Sequence, residues 1–458
     1  MVASTPGGRV MSNVLVRYHA LLREAVEIVR AERAAGPPPV AFDLPEPDER
    51  LAAFYGVSDM SLTPLEERAG RRLFMLNLMH NPRTRTTKTP ASLLMVARAA
   101  AHVRRTGERL LIVTPTSGNK GTALRDAVAR AYEHGLATPD ELRVVIVVPE
   151  QSRDKLRACP LSADSALHAA NPIALARVDS PGDVKPLSRG AVETYGASIL
   201  ANTGFRLWYT LDLDNYRVAD AARAFAEAEL MPITAGSRPR VHAHAVSSAY
   251  GLLGYHLGHR VLTERRHPLP VPAWHPGFFL VQQLSTPDMV LSLTKGGTSR
   301  SLLPRYRAEA DLWRQSADPA FPEVTADPAE EIDPTFYTSA PPTSPQINGL
   351  IGRWGGGGVV VSRHECLRHY DDVRVLVGRA GVSLPEDPSV IREWSLVKAF
   401  TGALVGMERG LLDPGVDVVV HASGFYSDQV LPPLGVQDST PVGGEAELVK
   451  LLMATAAA

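Results

Sequence analysis

The feature that most constrains this chain is a set of short, uninterrupted apolar runs spaced by helical patterns. Leu110 to Val113 forms one such run and residues 144–148 (VVIVV) another. Between them Leu124, Ala127, Val128, Ala131 and Tyr132 recur at helical spacing. A strand that shows one face to water alternates polar and apolar residues, whereas a strand covered on both faces reads as a continuous apolar run. From Lys88 onward the pattern predicts a helix over 90–105, a strand over 109–114, a helix over 121–135 and a strand over 143–148, with further candidates to about 235. It resumes with strand 240–246, helix 250–262 and strand 278–283, and strands 358–362 and 416–421 bracket a helix over 389–409. The expectation is an α/β fold in which parallel sheets are covered by helices on both faces.

A chain of 458 residues is long enough for two domains. Residues 1–11 read as disordered. Ser12 is placed to cap a helix to about Ala35, with Val14, Leu15, Tyr18, Leu21, Leu22, Ala25, Val26 and Val29 on one face. Proline-rich sequence from Pro37 to Pro47 follows, so 1–75 reads as an N-terminal helical extension, 76–235 as the first α/β domain and 236–458 as a larger second one. Residues 316–346 are rich in proline and acidic residues without a period, the signature of a lid, a binding loop or a disordered segment. The net charge of −1 gives no electrostatic reason to expect nucleic acid or a membrane surface as a partner. Cys159 and Cys366 are too few for a disulfide scaffold, and the N-terminus shows no apolar leader. These features suit a loop-rich cytoplasmic enzyme.

The chemistry concentrates in residues 112–123, IVTPTSGNKGTA. A strand runs into Thr116, Ser117, Gly118 and Asn119, and a helix starts at once. That order aims backbone N–H groups and short side chains at an anion or a polar ring, although an ordinary capped turn looks the same. Lys120 follows, facing either a substrate anion or water. The order GNKGT lacks the lysine placement of a nucleotide P-loop. A second strand–turn–helix lies at 245–258, where Ser247, Ser248, Ala249, Tyr250 and Gly251 precede the helix. The glycine run Gly355–Gly358 is the other phosphate candidate, but it leads into a strand. Near the C-terminus, VVVHASGFYS (418–427) turns at Ser423, and Ser389 in EDPSV is its alternative. His242 and His244 alternate along one strand face and leave a metal pair open, without the spacing of a known zinc motif.

Taken in order, these motifs resemble fold-type II pyridoxal 5′-phosphate (PLP) enzymes, the superfamily of tryptophan synthase β, threonine synthase and cysteine synthase. The resemblance covers roughly 80–458 and lies in the order of the motifs. It implies that Lys88, in PRTRTTKTPAS, is the Schiff-base lysine, where relatives carry a stretch such as GSFKDRG. It implies that Asn119 bonds the cofactor O3′ and that Thr116, Ser117 and Gly118 hold the substrate carboxylate. Ser247, Ser248, Ala249, Tyr250 and Gly251 would form the phosphate cup, and Ser423 would face the pyridine nitrogen. The stretch 211–229 resembles a threonine-synthase-like segment and supports register only. The implied fold has two domains with the cofactor between them, and the implied assembly is a homodimer. The implied reaction is β- or γ-elimination or replacement on an amino acid, with Lys88 as general base. Racemisation or deamination is the second reading, and a non-catalytic ligand- or protein-binding relative is the third. The cationic set Arg83, Arg85 and Lys120 suits a second anionic group on the substrate, such as a phosphate or distal carboxylate, or equally a set of surface cations facing water.

Overall fold

The computed structural model describes residues 2–5, 8–33, 40–210, 213–336 and 338–458. Its chain divides into two compact units, each assembled from non-contiguous segments. One comprises Met1–Ser12, Asp59–His80 and Asp220–Ser427, and the other Asn13–Ser58, Asn81–Ala219 and Asp428–Ala458.

In the second of these units five strands form an all-parallel sheet, in the order Thr440–Val442, Ile173–Ala176, Leu142–Pro149, Arg109–Pro115, Phe205–Tyr209. Leu111, Val113, Val145, Val147, Ala174 and Ala176 point into one core with Val184, Ala191 and Ile199 of helix Val184–Thr203 and with Leu448, Leu452 and Ala456 of the C-terminal helix Glu445–Ala457. Helices Thr89–Thr106 and Asn119–Glu133 bury long faces in the same unit. The strand Leu142–Pro149 is buried at every position, which is why it reads as a continuous apolar run.

In the other unit eight strands pair in the order Val2–Thr5, Gly8–Met11, Met60–Arg68, Arg71–Asn77, Asp417–Ala422, Arg240–Ala245, Gly277–Gln283, Gly356–Val361. The first four pair antiparallel, and from Arg71–Asn77 onward every pairing is parallel. Side chains alternate across the sheet. Val241, Ala243, Ala245, Val418, Val420 and Ala422 enter an apolar core with Leu396, Val397, Phe400 and Leu404 of helix Ser395–Glu408. His242, His244 and His421 therefore fall on the opposite face.

Several expectations need correction. Residues 2–5 and 8–11 are not disordered but form a hairpin that edges the eight-stranded sheet, because Arg9–Met11 pair with Met60–Leu62. The helix expected over 12–35 is two, Val14–Arg17 and His19–Glu32, starting from Asn13 rather than Ser12, and Ala35 lies outside the described residues. Residues 1–75 are thus no separate helical extension, and 220–235 and 428–458 each join the unit they pack with rather than their sequence neighbours. The helix expected over 389–409 begins at Ser395, after a short strand Ile391–Glu393. Leu211 and Asp212 of the stretch 211–229 lie outside the described residues, and its helix spans Asp214–Leu230.

Residues 316–346 are held in place rather than loose. The Gln283 carboxamide accepts from the N–H groups of Ile332 and Asp333 (3.2 and 2.9 Å) and donates to Asp333 O (3.0 Å). The Asp333 carboxylate accepts from Trp394 N at 2.9 Å, and Phe321, Ile332 and Phe336 are buried. Of the three readings of this segment only the disordered one is set aside, because backbone and carboxylate groups in its described residues find partners far away in sequence.

Helix Tyr250–Glu264 approaches residues 221–224 so closely that a Cβ on Gly258 would overlap the Ala221 carbonyl oxygen. Backbone cannot yield as a side chain can, so Gly258→Ala should cost about 1–3 kcal/mol. Urea unfolding of the two proteins measures it, and an unchanged midpoint would remove the close approach from the account.

Candidate active site

Each unit presents a strand–turn–helix at the C-terminal end of a parallel strand. In the unit built on Asn81–Ala219, strand Arg109–Pro115 ends in Thr116, Ser117 and Gly118, and helix Asn119–Glu133 follows. Gly118 has φ 129°, a conformation closed to side chains, and a Cβ there would lie 2.6 Å from the Cβ of buried Lys155. The Thr116 hydroxyl is buried and accepts from the N–H groups of Gly118 (3.1 Å) and Gly121 (3.0 Å). Thr116 therefore caps its own loop and leaves Ser117 and Asn119, both partly exposed, as its outward polar groups. The Lys120 ammonium donates to the carbonyl of Thr210, just beyond strand Phe205–Tyr209. That contact ties the start of helix Asn119–Glu133 to the end of the neighbouring strand.

Lys88 is partly buried at the N-cap position of helix Thr89–Thr106, with its Nζ 5.1 Å from the ring centroid of Tyr216. The segment before it is fastened to helix Asn119–Glu133 by Asn81 Nδ2 to Asp126 Oδ2 (2.7 Å) and by Arg83 to Glu133 (2.8 Å) and Asp126 (3.4 Å). Arg130 completes the cluster, donating from Nε to Asp126 Oδ2 at 2.9 Å. Arg83 is thus committed to structure. Arg85 is different: it is half-buried, takes φ 44°, and has no carboxylate partner among the described residues. Burial, uncompensated by any neighbouring anion, lowers its pKa from the usual arginine value. Among the described residues the Arg85 guanidinium has neither an ion pair nor a hydrogen bond, whereas Arg83 is paired with Glu133 and Asp126.

In the unit built on Asp220–Ser427, strand Arg240–Ala245 runs through Ser247 and Ser248 to Ala249, which adopts a left-handed conformation (φ 52°, ψ 22°) at the cap of helix Tyr250–Glu264. Among the described residues, the backbone N–H groups of Ser247, Ser248, Ala249 and Gly251 have no acceptor. The Ser247 and Ser248 hydroxyls are partly exposed and form no hydrogen bond with them either. Thr343 at the end of the 316–346 segment braces the turn by donating to Ser248 O at 2.7 Å. Unsatisfied donors at a helix N-terminus form a cradle for an anion. Gly355–Gly358, the other phosphate candidate, instead enters strand Gly356–Val361 and makes no such cradle.

One strand away, Asp417–Ala422 pairs in parallel with Arg240–Ala245 and ends at Ser423. Ser423 is 5% exposed, and among the described residues its hydroxyl has no hydrogen-bond partner. Ser389, its alternative, is exposed and spends its hydroxyl on Asp387 Oδ2 at 2.6 Å.

Behind the turn lies a buried polar network absent from the sequence reading. Arg223, fully buried, donates from Nε (3.0 Å) and Nη2 (2.6 Å) to Asp220 Oδ1 and from Nη1 to His421 Nδ1 (3.1 Å) and His244 Nε2 (3.3 Å). A guanidinium can only donate, so His421 accepts at Nδ1 and carries its proton on Nε2, which faces His242 Nδ1 at 2.8 Å. His242 Nε2 lies 3.3 Å from Glu227 Oε1, and Glu227 also pairs with Arg240 (3.2 Å) and accepts from the Tyr255 hydroxyl. Burial, then His244, His242 and Arg223, hold the His421 pKa well below the usual histidine value. Burial alone would raise Glu227, but His242, Arg240 and Tyr255 bring it down to about 2. His242 and His244 are thus hydrogen-bonded within the protein, and among the described residues no cluster has the geometry for a metal ion. The spacing Asp220–Arg223–Glu227 on one helix face was the available signal.

A family model described as a family of unknown function, DUF6002, matches residues 10–456. The chain belongs to the DUF6002 family. No curated protein matches it. Among solved structures it is similar to PLP-bound threonine synthase from Brucella melitensis, at 12% identity over 86% of this chain and 81% of that one, with a TM-score of 0.49. It is also similar to maize serine racemase (12% identity, 88% and 95% coverage, TM-score 0.47) and to cysteine synthase from Entamoeba histolytica (14% identity, 92% and 98% coverage, TM-score 0.44).

Buried neutral histidines make the stability of this DUF6002 chain depend on pH. His421 and His275, the latter lowered to about 3 mainly by burial, stay neutral in the folded state at pH values where the unfolded chain binds protons. The unfolded state then holds more protons, so stability must fall as pH drops below about 6.5, by on the order of 1 kcal/mol per group per pH unit. Carboxylates such as Glu227 act in the same direction, but only below the usual glutamate range. Urea unfolding between pH 7 and 5 should show this slope, and His275→Gln should make it shallower; a flat profile would contradict neutral burial.

Proposed function

We propose that this protein is a PLP-dependent enzyme, a lyase or transferase that acts on an amino acid by β- or γ-elimination or replacement. The observation that carries this reading is found on adjacent parallel strands: among the described residues, the amides of Ser247, Ser248, Ala249 and Gly251 lack acceptors and the buried Ser423 hydroxyl lacks a partner. A phosphate fits the cradle, and a ring nitrogen that needs one hydrogen bond fits the hydroxyl. The motifs at Lys88 and Asn119 support the same reading, in the order that the resemblance requires.

When bound, pyridoxal phosphate supplies an electron sink for negative charge at the substrate Cα. Lys88 would hold the cofactor and, once released, act as general base at the Cα proton. Asn119 would bond the cofactor O3′, and Ser117 with the loop amides would receive the substrate carboxylate, aided by the dipole of helix Asn119–Glu133. Thr116 and Gly118 shape that loop from inside. Ser423 would hydrogen-bond the pyridine nitrogen without donating a full charge. Arg85, whose guanidinium has no anionic partner among the described residues, would pair with a second anionic group, a phosphate or distal carboxylate. A cytoplasmic homodimer with a small-molecule substrate accords with the near-neutral net charge and the two buried, unbridged cysteines.

Two experiments bear on this. Protein incubated with PLP should turn yellow, and borohydride reduction should fix the cofactor to Lys88 by peptide mass. Lys88→Ala should take up no reducible cofactor, and a colourless wild type that cannot be reconstituted would refute the reading. Arg85→Gln should raise KM for amino acids bearing a second anionic group by about tenfold or more, with kcat little changed, since a charge-assisted hydrogen bond is worth about 1.5–3 kcal/mol. Equal effects on neutral isosteres would deny Arg85 that role.

A further inference from the structure

We infer that Arg223, buried behind the Ser247–Gly251 turn, is a further anion-binding residue of that site: its charge strengthens binding of a phosphate group at the cradle. The inference rests on the proposed phosphate role of this turn.

The first observation is spatial. A Cβ on Gly251 would lie 2.6 Å from Arg223 Nη1, 2.8 Å from Nη2 and 2.9 Å from His244 Nε2. The guanidinium therefore occupies the volume that only glycine leaves, and it packs against the backbone whose N–H groups lack acceptors. The second is orientation. Asp220 contributes one oxygen, Oδ1, to the Nε and Nη2 side of the guanidinium. Both Nη atoms lie close to Gly251, so the ion pair stands as a dipole whose positive end faces the turn. Both Nη atoms, and no oxygen of Asp220, are among the three atoms nearest that Cβ position, and a charge difference in a buried setting is weakly screened.

The third is fixation. His244 and His421 accept from Nη1, and His421 is locked as an acceptor by its own donation toward His242. His421 does not compete as a cation, since burial first and its neighbours second hold its pKa well below the usual histidine value. Glu227, Arg240 and Tyr255 anchor the far end of the chain, and Arg72 and Asp417 adjoin Arg240. The turn has few glycines, and the charge behind it offers an attraction that a glycine-rich loop would not need.

The test compares PLP with pyridoxal, which lacks the phosphate, by equilibrium titration of the apoprotein, with inorganic phosphate as a third probe. Removing Arg223 alone would strand the Asp220 charge, so the main variant is the double substitution Asp220→Asn with Arg223→Met. It should weaken PLP and inorganic phosphate by on the order of tenfold while leaving pyridoxal unchanged. Should that variant not fold, Gly251→Ala, whose methyl displaces the guanidinium, should lower the PLP-to-pyridoxal affinity ratio in the same sense. Arg223→Lys, which keeps the charge, should stay near the wild-type ratio. A purely structural Arg223 would weaken PLP and pyridoxal equally, and that result, or an unchanged ratio, overturns the inference. Wild type that binds inorganic phosphate in an Arg223-dependent way, but not PLP, would refute the cofactor reading and leave this inference standing. Wild type that binds neither would sink both.

Discussion

One face of the eight-stranded sheet is organised by the demand that buried charge be paired. Asp417 is fully buried and receives two bonds of 2.7 Å from Arg72, while Arg240 lies beside both Asp417 and Glu227. From Glu227 the contacts continue through His242 and His421 to Arg223 and Asp220. Breaking such a buried pair on one side typically costs about 3–5 kcal/mol, because the other charge is left without compensation. The network therefore sets the strand positions that end at the serine turn and at Ser423. The apolar face, with Val418, Val420 and helix Ser395–Glu408, supplies burial but little direction. Direction comes from the polar face, where each histidine can satisfy its neighbours in only one tautomer.

This arrangement gives the two turns different characters. The Thr116–Asn119 loop is self-supporting: Thr116 caps it, Gly118 bends it, and Lys120 ties it to Thr210. The Ser247–Gly251 turn has Arg223 packed behind Gly251, and among the described residues the amides of Ser247, Ser248, Ala249 and Gly251 have no acceptor.

Much of the fold was legible from particular runs. The apolar runs inside strands Leu142–Pro149 and Asp417–Ala422 announced a sheet covered on both faces, and the helix starts at Asn119 and Tyr250 lie within a residue or two of where their loops suggested. The N-terminal hairpin was not legible, because the pairing of Arg9–Met11 with Met60–Leu62 is a long-range match between two unremarkable segments. The 316–346 segment misread for a related reason: Gln283 and Trp394, which satisfy its backbone and Asp333, lie far from it in sequence.

The amino-acid order by itself determined the local grammar: which apolar runs are strands, which turns precede helices, and where a lysine, a glycine-bearing loop and a serine turn fall in succession. Those properties depend on residues within a few positions of one another, where backbone preference and hydrophobic period dominate. The tertiary structure alone decided the allegiance of each polar group. It committed Arg83 to Glu133 and Lys120 to Thr210, left Arg85 with its charge, spent Ser389 on Asp387 and left Ser423 unspent. It also gathered Arg223, His421 and His242 from three separate segments. A hydrogen bond or ion pair is a property of two atoms within about 3 Å, and no sequence spacing encodes that distance once the partners lie on different elements.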